Sequence, residues 1–176
     1  ISSNTNIQVT PAQIERASQV FHEFLNIRKS SPLFRLTDET QVIERLGFHN
    51  TGPSQTKGLI VMSLDDGSGL TDLDPAHDAV VVVVNGSDQE QSHTVKTASG
   101  FTLHTAQQNS ADSVVQSASF AEDATHGTFT VPAHTIAVFV KLQDGAQGEG
   151  LTTDPEYVES PYGEAVLTAP ELSQND

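Results

Sequence analysis

Ala79-Val80-Val81-Val82-Val83-Val84 is the stretch on which the fold turns. Six consecutive small or β-branched apolar residues offer no polar face to water. β-branched side chains favour a pleated backbone, and an unbroken apolar run reads as a strand covered on both faces. Asn85-Gly86 follows at once. That dipeptide is a hairpin signal and predicts a returning strand over Ser92–Lys96. Upstream, Gly58–Leu64 reads as another strand, and downstream so do Gly100–Leu103, Val114–Phe120, Thr128–Val131 and Thr135–Lys141. Thr128 to Val131 alternate polar and apolar, and Ile136, Val138 and Val140 share one face. Short strands at regular intervals with turn residues between them predict a mainly β chain, an antiparallel β-sandwich of Greek-key type.

One or two helices precede these strands. Thr10 is an N-cap, Pro11 suits the first helical position, and Gln13 completes a capping box. Ile14, Ala17, Phe21, Phe24, Leu25 and Ile27 then fall at helical spacing, with Val20 beside them. Arg28 and Lys29 suit the negative end of the helix dipole, and Ser30-Ser31-Pro32 stops the run. This apolar stripe is wider than a helix lying on a small β domain requires, so it is expected to pack between neighbours. Thr37-Asp38-Glu39 starts a shorter helix through about Ile43.

The chain divides into three zones: a helical segment 1–46, a β domain 47–141 and an acidic tail or linker 142–176, expected to be disordered. The 176 residues carry 8 Lys and Arg against 23 Asp and Glu, net −15. Residues 1–50 are balanced, so the whole excess lies beyond them. The tail combines carboxylates, glycines and prolines with few large apolar side chains, too little surface to offset its ordering entropy.

Composition excludes several functions. The charge is wrong for a nucleic-acid partner, and no apolar run is long enough for a membrane span. No Cys is present, which removes disulfides, thiolate metal sites and thiol nucleophiles. The single Met is Met62, so Ile1 is expected to follow something longer. The acidity suits a soluble exported or salt-exposed protein, and the parent is expected to be secreted, periplasmic or at the cell surface, a choice that this stretch of sequence does not decide.

Motifs for chemistry are sparse. His22-Glu23 opens like a zincin helix, but Asn26 stands where the second ligand belongs. Gly145-Ala-Gln-Gly-Glu-Gly150 has the wrong spacing for a dinucleotide loop. The histidines at 22, 49, 77, 93, 104, 126 and 134 form no ligand pattern. One loop stands out: Asp65, Asp66, Asp72, Asp74 and Asp78 are five carboxylates close in sequence, with glycines between. Hard cations such as calcium take oxygens from loops of this kind, although the order is not that of an EF-hand. The competing reading is an acidic surface loop with Asx turns. Asn85-Gly86-Ser87 formally matches a glycosylation sequon. Sugar binding wants exposed aromatic platforms. Trp is absent, and both tyrosines, Tyr157 and Tyr162, lie in the tail.

Phe21-His-Glu-Phe-Leu-Asn-Ile-Arg-Lys-Ser-Ser-Pro-Leu-Phe-Arg-Leu36 resembles the last barrel helix of the α-amylase superfamily, where it leaves a catalytic (β/α)₈ barrel for an all-β C-terminal domain. Val42–Gly52, Gly58–Gly67, Asp72–Asp78 and Gln107–Asp112 are similar, in order, to the C-terminal region of bacterial pullulanases, the α-1,6-glucosidases of glycoside hydrolase family 13. The resemblance runs from about residue 10 to Lys141. It implies a non-catalytic domain that packs on and stabilises the missing catalytic barrel of the same polypeptide, whose substrate is an α-glucan. The family's catalytic motifs are not found here, so no catalytic residue is carried over. Ile14, Phe21, Phe24, Leu25 and Ile27 are the expected barrel contacts. The alternative is a module that binds α-glucan or calcium, the latter at the five aspartates.

Overall fold

The computed structural model describes residues 8–151. Helix α1 spans Pro11–Ser30 and begins as its sequence dictates. The Thr10 side chain accepts from the Gln13 amide, and the Gln13 side chain accepts from the Thr10 amide. A 3₁₀ turn, Pro32–Arg35, and helix α2, Glu39–Arg45 capped by Asp38, follow. Strand β1, Leu46–Phe48, starts directly after α2, so the short helix runs to Arg45 rather than Ile43.

The remaining strands are β2 Leu59–Asp65, β3 His77–Asn85, β4 Gln91–Lys96, β5 Phe101–Leu103, β6 Ser119–Glu122, β7 His126–Val131 and β8 Thr135–Leu142. A short helix α3, Thr105–Gln108, lies between β5 and β6. Two antiparallel sheets result: β1-β2-β3-β8-β5 and β4-β7-β6. The mainly β architecture with N-terminal helices agrees with the sequence reading.

β3 sits in the middle of the larger sheet, between β2 and β8, and is buried along nearly its whole length. Its valines serve two cores. Val81 and Val83 face the smaller sheet and share a core with Val61, Val95, Phe101, Phe129, Val131 and Phe139. Phe101, Phe120, Phe129 and Phe139 form a chain of ring contacts there, with centroids 4.8 to 5.6 Å apart. Val80 faces the other way, with Leu64, Val138 and Val140, against Ile27 and Leu33 of the helical layer. The continuous apolar run is therefore explained by a layer on each side of one strand.

Three expectations need correction. First, Asn85-Gly86 does not turn a hairpin. β3 and β4 belong to different sheets, and residues 86–90 cross between them. The Asn85 side chain holds this crossing by donating to the carbonyls of Gln89 (2.8 Å), Val131 (3.1 Å) and Pro132 (2.9 Å). Second, Val114–Phe120 is not one strand. Val115–Ser117 is a 3₁₀ turn that seats Val115 in the core, and β6 starts only at Ser119. Third, the tail does not begin at residue 142. Leu142 ends β8, and residues 143–151 run back over the acidic loop to bury Leu151, which is 1% exposed. The part of the expected disordered tail beyond Leu151 lies outside the described residues.

Candidate functional site

The five expected barrel contacts split between two faces of α1. Ile27 is buried and Phe24 half-buried against the larger sheet. They are committed to this chain's own core. Ile14, Phe21 and Leu25 recur at i, i+7 and i+11 on the other side and stand exposed, by 58%, 62% and 45%. An exposed apolar row of this kind is a candidate contact surface. Val9, just before the helix, is also exposed, as are Val42 and Ile43 on α2.

Among the described residues, α1 is held to the β domain on its inner side. Glu23 accepts from the Ser110 hydroxyl (2.7 Å) and the Ala111 amide (3.2 Å). Arg16 pairs with Asp112 at 2.8 Å, half in solvent. At its C-terminal end, the His104 ring bridges helix and sheet. Nδ1 accepts from the Ala106 amide (3.1 Å), so Nε2 carries the hydrogen and donates to Ser30 Oγ (3.0 Å). Ser30 in turn donates to the Ile27 carbonyl (2.7 Å). Burial, aided by the charge of His77, lowers the His104 pKa and keeps the ring in the neutral form this network needs. A cavity of about 210 Å³ remains between α1 and the start of β8, lined by Val20, Glu23, Phe24 and Ile136 among others.

The acidic loop is organised from within. Asp66 is fully buried and pairs with the equally buried Arg45 at the end of α2. Asp66 also accepts from the amides of Leu73 (3.0 Å) and Asp74 (2.6 Å). Burial pushes its carboxyl up from the ordinary value, against the pull of those amides and of Arg45. Arg45 further donates to the carbonyls of Asp65 (3.2 Å) and Thr71 (2.6 Å). Asp74 accepts from His77 Nδ1 at 2.8 Å. Asp65 accepts from the amides of Gly67 (3.0 Å) and Leu151 (2.9 Å), and Asp78 from that of Gly148 (2.8 Å). Asp72 accepts from the Gln143 side chain at 3.0 Å.

The aspartates expected to gather round a cation thus turn to separate partners. Among the described residues no group of three or more His, Asp or Glu is placed to hold a metal ion. Sequence reasoning missed Arg45, and it missed the return of residues 143–151, which supplies three of the donors. The run of glycines was the available signal. At Gly148 a Cβ would lie 2.6 Å from Asp78 Oδ2, and at Gly150 it would overlap Asp65 outright. These glycines permit close approach of backbone to carboxylate. His49 is a further buried group. It bonds Ser63 Oγ at 2.8 Å, and burial, with the charge of His93 behind it, lowers its pKa to about 4.

The sequon asparagine is closed to modification in this fold, because Asn85 is 1% exposed and its amide hydrogens are engaged. Tyr157 and Tyr162 lie outside the described residues. No described helix is long and apolar enough to cross a membrane.

Known proteins are similar to this chain. The family described as alpha-1,6-glucosidases, pullulanase-type, C-terminal, matches residues 1–142. Pullulanase 1, chloroplastic, of Arabidopsis thaliana is 40% identical over 131 residues, 71% of this chain and 13% of that protein. The pullulanase of Klebsiella pneumoniae is 38% identical over 147 residues, 80% of this chain and again 13% of the relative. Among solved structures, PulA from Klebsiella oxytoca is similar with a TM-score of 0.69 at 36% identity, over 83% of this chain and 14% of that one. The maltotriose complex of PulA from Klebsiella pneumoniae gives 0.68 at 33% identity, over 82% and 16%. The chain thus spans only a small fraction of the length of the curated relatives it matches.

Proposed function

The chain belongs to the pullulanase-type α-1,6-glucosidase C-terminal family, and from that membership we propose that it is the non-catalytic β domain of a longer α-1,6-glucan-debranching enzyme. Its work is to cover and stabilise the catalytic barrel of the same polypeptide, which acts on an α-glucan. The observation that carries this reading is the division of α1. One side, through Phe24 and Ile27, is locked into the domain core, while Ile14, Phe21 and Leu25 face outward without cover. A helix with both sides apolar belongs to two bodies at once. The similarity to proteins several times longer supports a second body in the same polypeptide.

The test uses serine substitutions at Ile14, Phe21 and Leu25. These side chains are already exposed in this chain, so the triple variant should leave the melting temperature of the separate chain nearly unchanged. In the full-length polypeptide each should remove about 1–2 kcal/mol of apolar burial, lowering the melting temperature and the rate of pullulan hydrolysis. Equal melting of variant and parent full-length proteins would overturn the assignment. So would release of reducing ends from pullulan by the separate chain.

A further inference from the structure

We propose that Asn85-Gly86 is a latent chemical switch. The native fold keeps it inert, it deamidates when the β domain opens, and its product cannot re-enter the native site. Asn-Gly is the sequence most open to this reaction, because glycine puts no side chain in the path of its own amide nitrogen. Among the asparagines of this chain only Asn85 is followed by glycine. In an open chain the Gly86 nitrogen attacks Asn85 Cγ. An N–C bond forms, the Cγ–Nδ2 bond breaks, and ammonia leaves with the proton given up by the Gly86 nitrogen. Water then opens the five-membered imide at either carbonyl, giving aspartate or isoaspartate. Water is the only co-reactant.

The folded chain blocks each part of this path. The attacking nitrogen is occupied, since the Gly86 N–H donates to the Gly58 carbonyl at 2.8 Å. The leaving amide is held by the carbonyls of Gln89, Val131 and Pro132. Asn85 Oδ1 accepts from the Ser87 amide (3.0 Å) and hydroxyl (2.7 Å), which fixes the plane of the group. With 1% exposure, water has little access to the carbon under attack. These bonds tie the end of β3 to the end of β7, so they hold only while both sheets are assembled.

The same geometry rejects the product. An aspartate at 85 has no hydrogen to give, and it would set a buried negative charge against three carbonyl oxygens. Isoaspartate adds a carbon to the backbone where β3 crosses to the other sheet, which displaces the register of one strand or the other. Opening followed by reaction is therefore a one-way step, of the kind that makes unfolding irreversible. Gly86 itself is replaceable. Its φ lies outside the left-handed region, and an added Cβ would meet only the Gly58 oxygen, at an ordinary 3.5 Å.

The experiment holds the protein at mildly alkaline pH, once in native buffer and once in urea above the unfolding transition. Aspartyl and isoaspartyl peptides at position 85 are then quantified by mass spectrometry after digestion. Formation should be at least about tenfold faster in urea, as expected when reaction requires opening. On dilution from urea, the fraction regaining native circular dichroism should fall in step with modification, and the recovered protein should be unmodified at 85. Gly86→Ala should hold the recoverable fraction up at an unchanged unfolding midpoint. Equal rates in the two conditions, no reaction in urea, or modified chains in the recovered native fraction would each overturn the proposal.

Discussion

Replacing Arg45 by methionine should cost the β domain about 4 kcal/mol, a large part of the roughly 5–15 kcal/mol by which folded domains are stable. The guanidinium is 1% exposed and its partner Asp66 not at all. Methionine roughly fills the volume of the aliphatic stem but supplies no charge. Asp66 is then left with only the amides of Leu73 and Asp74, while the carbonyls of Asp65 and Thr71 lose their donors. Breaking a buried pair from one side typically costs about 3–5 kcal/mol, because the remaining charge stays desolvated. The deficit has a signature beyond its size. Without the cation, the Asp66 carboxyl is raised further, so it takes up a proton on folding, and the loss relative to the parent chain should shrink as pH falls from 7 towards 5. Adding Asp66→Asn to Arg45→Met should restore part of the stability, since it removes the stranded charge. The chain has no Trp, so urea unfolding is best followed by far-UV circular dichroism. With a slope of about 2 kcal/mol per molar urea, the midpoint should drop by about 2 M. A loss under about 1 kcal/mol, or strict additivity of the two substitutions, would refute the reasoning, because both say that the pair carries no coupling.

Two other expectations come from the same structure. Gly148→Ala places a methyl against Asp78 Oδ2, so residues 143–151 should lift from the loop. Hydrogen exchange at the Gly148 and Leu151 amides should then rise by at least about tenfold while β3 and β8 keep their protection. His49 has a folded pKa of about 4 against an ordinary 6.5. The unfolded chain therefore binds the proton first as pH drops, and stability present above 6.5 is lost towards 4, by about 3 kcal/mol from this group. His104, also lowered, acts in the same direction. His49→Gln should flatten the fall in urea midpoint between pH 7 and pH 4.5, and an unchanged slope would sink the assignment.

What the sequence discloses here is local. The Thr10–Gln13 capping box, Pro11 within it and the stop at Ser31-Pro32 are local signals, and α1 forms where they place it. The valine run gives β3 for the same reason. What stays hidden depends on residues far along the chain. Asn85-Gly86 carries a hairpin signal, but the side chain of Asn85 spends its hydrogens on Val131 and Pro132, and those contacts decide that the chain changes sheets. The five aspartates look like a cation loop because their partners, Arg45 before them and Gly148 and Leu151 after them, cannot be matched to them by spacing. The apolar stripe on α1 is visible in the sequence. Which half of it turns inward is settled only by where the larger sheet lies.

The pairing of β3 with β8 sets the order in which this domain can be made. Val81 lies opposite Phe139, 58 residues later (139 − 81). Until that stretch has left the ribosome, the strand at the middle of the larger sheet has a neighbour on one side only. The edge strand β5, which pairs with β8 alone, has none. A contact that spans so much chain requires a large loop to close before it gains anything, which makes it slow to form. During synthesis the valine-rich strand therefore waits half-dressed, with its richest stretch of unpaired backbone exposed. On the proposed function, in which a catalytic barrel precedes it in the polypeptide, helix α1 is made well before β8 and is free to settle against that barrel. In that reading the helix meets its outer neighbour first, and the sheet then closes on its inner face from behind.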